Sequence, residues 1–253
     1  MTDAAVAALR AAGCVFAEDE AALLRAEAED DRHLQLLLAE RVAGRPLEQV
    51  LGWAELDGVR VRMSPGVFVP RRRSTLLVRL ASAELRTGRE TVVDLCCGSG
   101  TLGAVLLARH PDLDLHAADL DPAATACARS NLPPERVHEG DLFDALPTDL
   151  AGRVDVLVVN APYVPSGAIA TMPPEARDHE HHVALDGGAD GLDVQRRVIA
   201  SAPCWLAPGG LLVVETGPAQ AATTAALMQT AGLEPRQHRA RDVDGCATSG
   251  RQV

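Results

Sequence analysis

Apolar positions change period along this chain, and the changes divide it. From residue 3 to 43 the spacing is helical: Val6, Leu9 and Ala12 share one face, and Leu23, Leu24, Leu34, Leu37 and Leu38 make another. Gly44-Arg45-Pro46 breaks that pattern. From Val59 to Val69 the chain alternates, with Val59, Val61 and Met63 on one side, and Ser64-Pro65-Gly66 offers a turn, so the spacing predicts a short hairpin there. The hairpin runs into Pro70-Arg71-Arg72-Arg73, and a helix is predicted over 75–85. A boundary near Ser74 separates residues 1–74, helices plus a linking hairpin, from residues 75–253. Beyond Gly88 strand and helix alternate. Strands are predicted near 91–95, 113–117, 154–159 and 210–215, with weaker ones near 136–138, 235–239 and 245–248; helices are predicted near 101–109, 122–130, 192–206 and 219–231. Such alternation predicts an α/β fold, a mostly parallel sheet of seven strands with helices on both faces. Ligands in these sheets sit at the carboxyl ends of the strands.

Composition narrows the chemistry. The 253 residues are 47% apolar, enough for a sizeable core, and no apolar run approaches the roughly 20 residues of a membrane span. The opening Met-Thr-Asp-Ala-Ala lacks the basic-then-apolar order of a leader peptide, and the six cysteines form no Cys-x-x-Cys pair; both point to a reducing cytoplasm. A net charge of −11 argues against broad nucleic-acid binding. All 24 basic side chains are arginine, which excludes a Walker lysine and a Schiff-base lysine. The stretch 17–40 sets Glu18, Asp19, Glu20, Glu27, Glu29, Asp30, Asp31 and Glu40 against Arg25 and Arg32; it reads as a solvated face or as a docking surface for a basic protein. Arg71-Arg72-Arg73 reads first as solvated charge.

The candidate chemistry lies in the loops after the strands. Thr91-Val-Val-Asp94-Leu95 is a strand, Cys96-Cys97-Gly98-Ser99-Gly100 a tight small-residue turn, and Thr101 a helix start. Gly98 and Gly100 allow close approach of a ligand to the backbone, and the acid Asp94 suits a ligand bearing an ammonium group rather than a bare phosphate. Asp119, roughly 20 residues on, suits a ribose diol, while Asp121 is placed to cap the next helix. In Gly140-Asp141-Leu142-Phe143, Asp141 can accept from an adenine amino group and Leu142 can cover the ring; alternatively Asp141 caps a short helix. The fourth strand ends in Asn160-Ala161-Pro162-Tyr163. Pro162 favours an extended Ala161, whose carbonyl then sits beside the Asn160 side chain, two acceptors able to take both hydrogens of one NH₂ group; Tyr163 can lie against a flat substrate. No metal is expected: His179, His181 and His182 crowd one loop, but the zinc-protease spacing would need a histidine where Val183 stands. Cys96 and Cys97 read as small lining.

Together Asp94-Leu95-x-x-Gly98-Ser99-Gly100, Asp119, Gly140-Asp141-Leu142-Phe143 and Asn160-Ala161-Pro162-Tyr163 resemble the class I S-adenosylmethionine-dependent methyltransferases. More narrowly the chain resembles the HemK/PrmC-type glutamine-N5 methyltransferases of peptide-chain release factors. The likeness runs through Gly44-x-Pro46-Leu47, Phe68-Val69-Pro70-Arg71, Glu175-x-Arg177-Asp178-His179-Glu180, Ala184-Leu185-x-Gly187-Gly188-x-Asp190-Gly191-Leu192 and Leu206-x-Pro208-Gly209-Gly210. The resemblance implies a Rossmann-like sheet and S-adenosylmethionine held by Asp94, Cys96, Cys97, Gly98, Ser99, Gly100, Asp119, Asp141, Leu142 and Asn160. It implies that Asn160, Ala161, Pro162 and Tyr163 present a glutamine amide for methylation, in a release-factor-like protein docked on the N-terminal helices. The chain departs from the family at Ala161, where the pattern has proline, at Arg72-Arg73, where it has proline and an acid, and at Cys96-Cys97, where it has Gly-Thr. Two other readings remain open: an exocyclic-amine methyltransferase of nucleobases, which the acidity disfavours, and a non-catalytic adaptor, which the intact loops disfavour.

Overall fold

The computed structural model describes residues 3–253. Four helices come first: α1 (Ala4–Ala11), α2 (Ala17–Glu27), α3 (Asp31–Val42) and α4 (Leu47–Leu51). Val6 and Leu9 of α1, Leu24 of α2, and Leu37 and Leu38 of α3 bury together in one apolar cluster. Glu20 leaves the solvated face expected of the acidic stretch: it is buried, and Arg41 of α3 donates to it at 2.7 Å. Removing Arg41 would leave the buried Glu20 charge unpaired, a destabilising change.

A hairpin follows, β1 (Trp53–Leu56) and β2 (Val59–Arg62). It lies earlier than the alternation suggested. The turn is Asp57-Gly58, with φ of 54° and 81°, not Ser64-Pro65-Gly66. Two positive φ angles make the turn whose twist matches two paired strands, and Asp-Gly supplies both, whereas Pro-Gly does not. Gly66 serves another contact: its carbonyl accepts from the His181 N–H at 2.8 Å, and a Cβ there would lie 2.4 Å from the His181 ring.

The remaining elements are α5 (Thr75–Ser82), β3 (Thr91–Leu95), α6 (Thr101–Arg109), β4 (Asp114–Asp119), α7 (Pro122–Ala128), β5 (Val137–Glu139), β6 (Val154–Val159), α8 (Pro174–His179), α9 (Asp193–Trp205), β7 (Leu206–Glu215), α10 (Ala221–Thr230), β8 (Leu233–Ala240) and β9 (Gly245–Gln252). Strand order is β5-β4-β3-β6-β7-β9-β8, parallel from β5 to β7, with β9 antiparallel to both neighbours. The expected seven-stranded, mostly parallel sheet is therefore present. Alternation along the strands divides the core. Val92, Val156, Val158 and Val213 face Leu77 and Val78 of α5 and Val105 and Leu106 of α6. Val93, Leu95, Leu157, Val159 and Leu212 face Val198, Ile199 and Ala202 of α9.

The chain steps outward from β3 through β4 to β5, then returns to place β6 on the other side of β3. That reversal opens a crevice where the loops after β3 and β6 diverge. Leu95 pairs with Ala118 and with Val159, so the loops beginning at Cys96, Asp119 and Asn160 emerge at one level.

Candidate active site

A cavity of about 440 Å³ occupies the crevice. It is lined by Leu95 to Ser99, by Asp119, Asp141 and Leu142, and by Asn160 to Val164. The segment after β6 crosses above it and contributes Met172, Pro173, Ala176, Val183 and Leu185. Side chains from both halves of the molecule fasten that segment. Arg41 donates to Glu175 at 2.7 Å. Gln49 donates to the carbonyls of Val67 and His179, each at 3.1 Å. Glu180 accepts from the Val69 N–H and from Arg71, and His181 Nδ1 meets Asp121 Oδ2 at 2.6 Å.

The glycine turn is held from two sides. Asp119 accepts from the Gly98 N–H at 2.8 Å through Oδ2 and from the Asp121 N–H at 2.9 Å through Oδ1. A carboxylate oxygen has two acceptor positions, so one on each remains for a diol. Burial pushes the Asp119 carboxyl up. Asp121 caps α7, accepting from Ala123 N–H at 2.9 Å. Asp141 opens a short 3₁₀ turn without capping it; its carboxylate instead takes a hydrogen from Arg197 at 2.7 Å. Leu142 has φ of 50°, a left-handed conformation uncommon outside glycine and asparagine, and lines the cavity. Cys96 shares that conformation at φ 59°; burial pushes both adjoining thiols well up, leaving Cys96 and Cys97 as neutral lining.

Asp94 and Gly100 lie behind the cavity wall. Asp94 is fully buried; Oδ2 accepts from the Gly103 N–H of α6 at 3.0 Å, and Oδ1 has no partner among the described residues. Burial raises its pKa from an ordinary 3.8 to about 7. An unpartnered buried carboxyl beneath a loop rimmed by Asp119 and Asp141 fits a cationic ligand, as the sulfonium and ammonium groups of S-adenosylmethionine require. A raised acid pKa adds stability below the unfolded value that is lost as pH rises toward the folded one. Asp94→Asn should therefore stabilise the cofactor-free protein at pH 8, by up to about 4 kcal/mol, with little gain near pH 4. Thermal unfolding of parent and variant across that range measures it; equal Tm differences at both pH values would contradict it.

Asn160, in the loop after β6, donates through Nδ2 to Ser74 Oγ at 3.3 Å. Neither Asn160 Oδ1 nor the Ala161 carbonyl accepts a hydrogen bond among the described residues, so both oxygens remain available. Tyr163, the chain's single tyrosine, donates to Glu215 Oε1 at 3.1 Å. Burial and the Glu215 charge push its hydroxyl up to about 12, so it stays a donor. Glu215 also receives Arg73 Nε at 3.1 Å and the Ser74 hydroxyl at 2.5 Å. Ser74 and Glu215 were not singled out by sequence reasoning. The reading of Arg71-Arg72-Arg73 as solvated charge is corrected for two of the three: Arg71 pairs with buried Glu180 and Arg73 with buried Glu215, while Arg72 is exposed. The glycines near Tyr163 serve close packing. A Cβ on Gly191 would lie 2.3 Å from the Tyr163 carbonyl oxygen, which Gln220 Nε2 reaches at 3.0 Å.

The model of the methyltransferase small domain family matches residues 58–173. Over 221 residues the chain is 38% identical to the 4-amino-L-phenylalanine/4-methylamino-L-phenylalanine methyltransferase of Streptomyces pristinaespiralis, covering 83% of this chain and 75% of that one. It is 37% identical over 194 residues to the release factor glutamine methyltransferase of Streptomyces coelicolor, covering 75% and 69%. A methyltransferase structure from Pyrococcus furiosus aligns with a TM-score of 0.58 at 14% identity, covering 88% of this chain and 99% of that one, a likeness of fold.

Proposed function

Since the chain belongs to the S-adenosylmethionine-dependent methyltransferase family that contains the release factor glutamine methyltransferases, we propose that it methylates the side-chain amide nitrogen of a glutamine in a release-factor-like protein. The observation that carries this reading is that Asn160 and Ala161, consecutive residues of the cavity lining, have a side-chain and a main-chain carbonyl oxygen that accept no hydrogen bond among the described residues. Two acceptors on the hydrogens of one NH₂ group turn its lone pair away from them and reduce its delocalisation into the amide. Bound S-adenosylmethionine would supply an electrophilic methyl group, the N–C bond forming as C–S breaks with the electron pair left on sulfur. The nitrogen then sheds a proton to water, so no strong base need precede transfer. The protein's contribution is orientation and exclusion of water, and orientation alone is worth about 7–11 kcal/mol in the best intramolecular reactions. Asp119 would hold the ribose, Asp141 and Leu142 the adenine, and the turn Cys96–Gly100 with Asp94 beneath it the cationic end.

The protein acceptor would dock on the N-terminal helices, a unit we bound at Ser74, and the reading implies a cytoplasmic enzyme. Phe16, just before α2, and Leu36 of α3 support that surface, being large apolar side chains 67% and 59% exposed. No helix among the described residues is long and apolar enough to cross a membrane.

One observation favours a second acceptor. Arg73, where the family pattern has an acid, lines the cavity with 41% of its side chain exposed while Glu215 holds its Nε. A guanidinium edge there suits a carboxylate. A free amino acid carrying an aromatic amine, the kind of acceptor for which the Streptomyces pristinaespiralis relative is named, would present both a carboxylate and a planar NH₂.

Methyl-labelled S-adenosylmethionine with purified release factor in one arm and 4-amino-L-phenylalanine in the other decides between them by kcat/KM. Label on a release-factor glutamine, with a raised KM for Phe16→Ser, is the expected result. Label on the amino acid alone would replace the first reading with the second.

A further inference from the structure

Glu215, the last residue of β7, is 2% exposed, yet three side chains from two distant parts of the chain, the neighbours Arg73 and Ser74 and the loop residue Tyr163, donate to it. We infer that the Glu215 carboxylate, acting through the Ser74 hydroxyl, fixes which way the Asn160 amide faces. Glu215 and Ser74 are thereby positioning residues for the reaction. The inference rests on the reading that Asn160 Oδ1 receives the acceptor NH₂ group.

The two ends of an asparagine amide are nearly the same size, so shape alone does not choose between its two orientations; hydrogen-bond partners do. Ser74 has one hydroxyl hydrogen. A carboxylate accepts and never donates, so Glu215 takes that hydrogen, at the short 2.5 Å of a charge-assisted bond. Ser74 can then offer Asn160 only a lone pair. Asn160 must answer with its NH₂, as the 3.3 Å contact from Nδ2 records, and Oδ1 is left for the acceptor. With the hydroxyl hydrogen directed at Asn160 instead, the amide would reverse and set its own NH₂ against the acceptor's, donor facing donor. Tyr163 and Arg73 both bond to Oε1, which holds the carboxylate against rotation and keeps Oε2 for Ser74.

Ser74 ends a short 3₁₀ turn (Arg72–Ser74) that runs on into α5 with helical dihedrals, so its hydroxyl makes no capping bond and is open to distant partners. It is 1% exposed, and its hydroxyl lies between a strand-end carboxylate 141 residues away and an amide 86 residues away.

The test uses the full chain carrying Ser74→Ala, Ser74→Thr, Asn160→Ala and the double variant Ser74→Ala/Asn160→Ala. Hydrogen exchange at the Asn160 side-chain NH₂, assigned in nitrogen-15 spectra by its loss in Asn160→Ala, reports the amide directly. Kinetics use whichever acceptor the parent methylates. Ser74→Ala should lose exchange protection and fall about tenfold to a hundredfold in kcat, with the calorimetric Kd for S-adenosylmethionine unchanged. Ser74→Thr, which keeps the hydroxyl, should restore protection and turnover. The double variant should be no slower than Asn160→Ala alone, since both changes remove one function. Full protection or parental turnover in Ser74→Ala would overturn the inference, as would losses that multiply in the double variant. A parent inactive toward both acceptor classes would count against the proposed function, while the exchange measurement would still decide the orientation of the amide.

Discussion

Asn160→Ala should lower turnover by about 10²–10³-fold, the range for removing one preorganised hydrogen-bonding group from a reaction centre. The calorimetric Kd for S-adenosylmethionine should change far less. The asymmetry follows from position. Asn160 lines the cavity, and its oxygen, which accepts no hydrogen bond among the described residues, has its proposed use only when the acceptor nitrogen arrives. A contact made more strongly in the transition state than in the ground state appears in kcat rather than in affinity. Near-parental kcat in a variant that still binds cofactor would remove Asn160 from the chemistry and return the choice of acceptor to the remaining walls of the cavity.

Asp119→Ala should do the opposite and weaken the cofactor first. In the parent, Asp119 joins β4 to the glycine turn through the Gly98 N–H and orders its own loop through the Asp121 N–H. The variant loses the proposed bonds to the ribose and also leaves Gly98 without its partner. Hydrogen bonds to a charged group are worth about 1.5–3 kcal/mol each, so a rise in Kd of about ten- to a hundredfold or more is expected. Turnover at saturating cofactor should recover much of the parental rate. Calorimetry and initial rates at high and low cofactor separate the two effects. A variant with parental Kd would show that the ribose is held elsewhere.

How much of this was legible before the fold was known varies residue by residue, for physical reasons. The strands at 91–95 and 154–159 and the helix at 101–109 have the predicted bounds because each is a continuous apolar or periodic run closed by a clear stop signal. The loop positions followed, since strand ends in a parallel sheet converge on one edge. The hairpin was displaced because the alternation beyond Val59 drew attention past Asp57-Gly58, the stronger turn. Glu215 and Ser74 carried no local signal. Glu215 looks like the polar end of an apolar strand, and Ser74 like an ordinary cap. Only their contact across 141 residues gives them meaning. The arginine run misled for the same reason: the buried carboxylates that neutralise Arg71 and Arg73 lie 109 and 142 residues away.

The fastening of the segment above the cavity bears on how the enzyme could be dissected. Arg41 and Gln49 belong to the N-terminal helices, and what they grip is α8. Trimming the chain to its sheet half would discard those anchors, leaving the Glu175 carboxylate and the His179 carbonyl to find water and the roof of the chamber to loosen. A shortened enzyme would then lose its enclosure along with its proposed docking surface, and sluggishness in such a fragment would not distinguish poor recognition of the acceptor from a leaking reaction chamber.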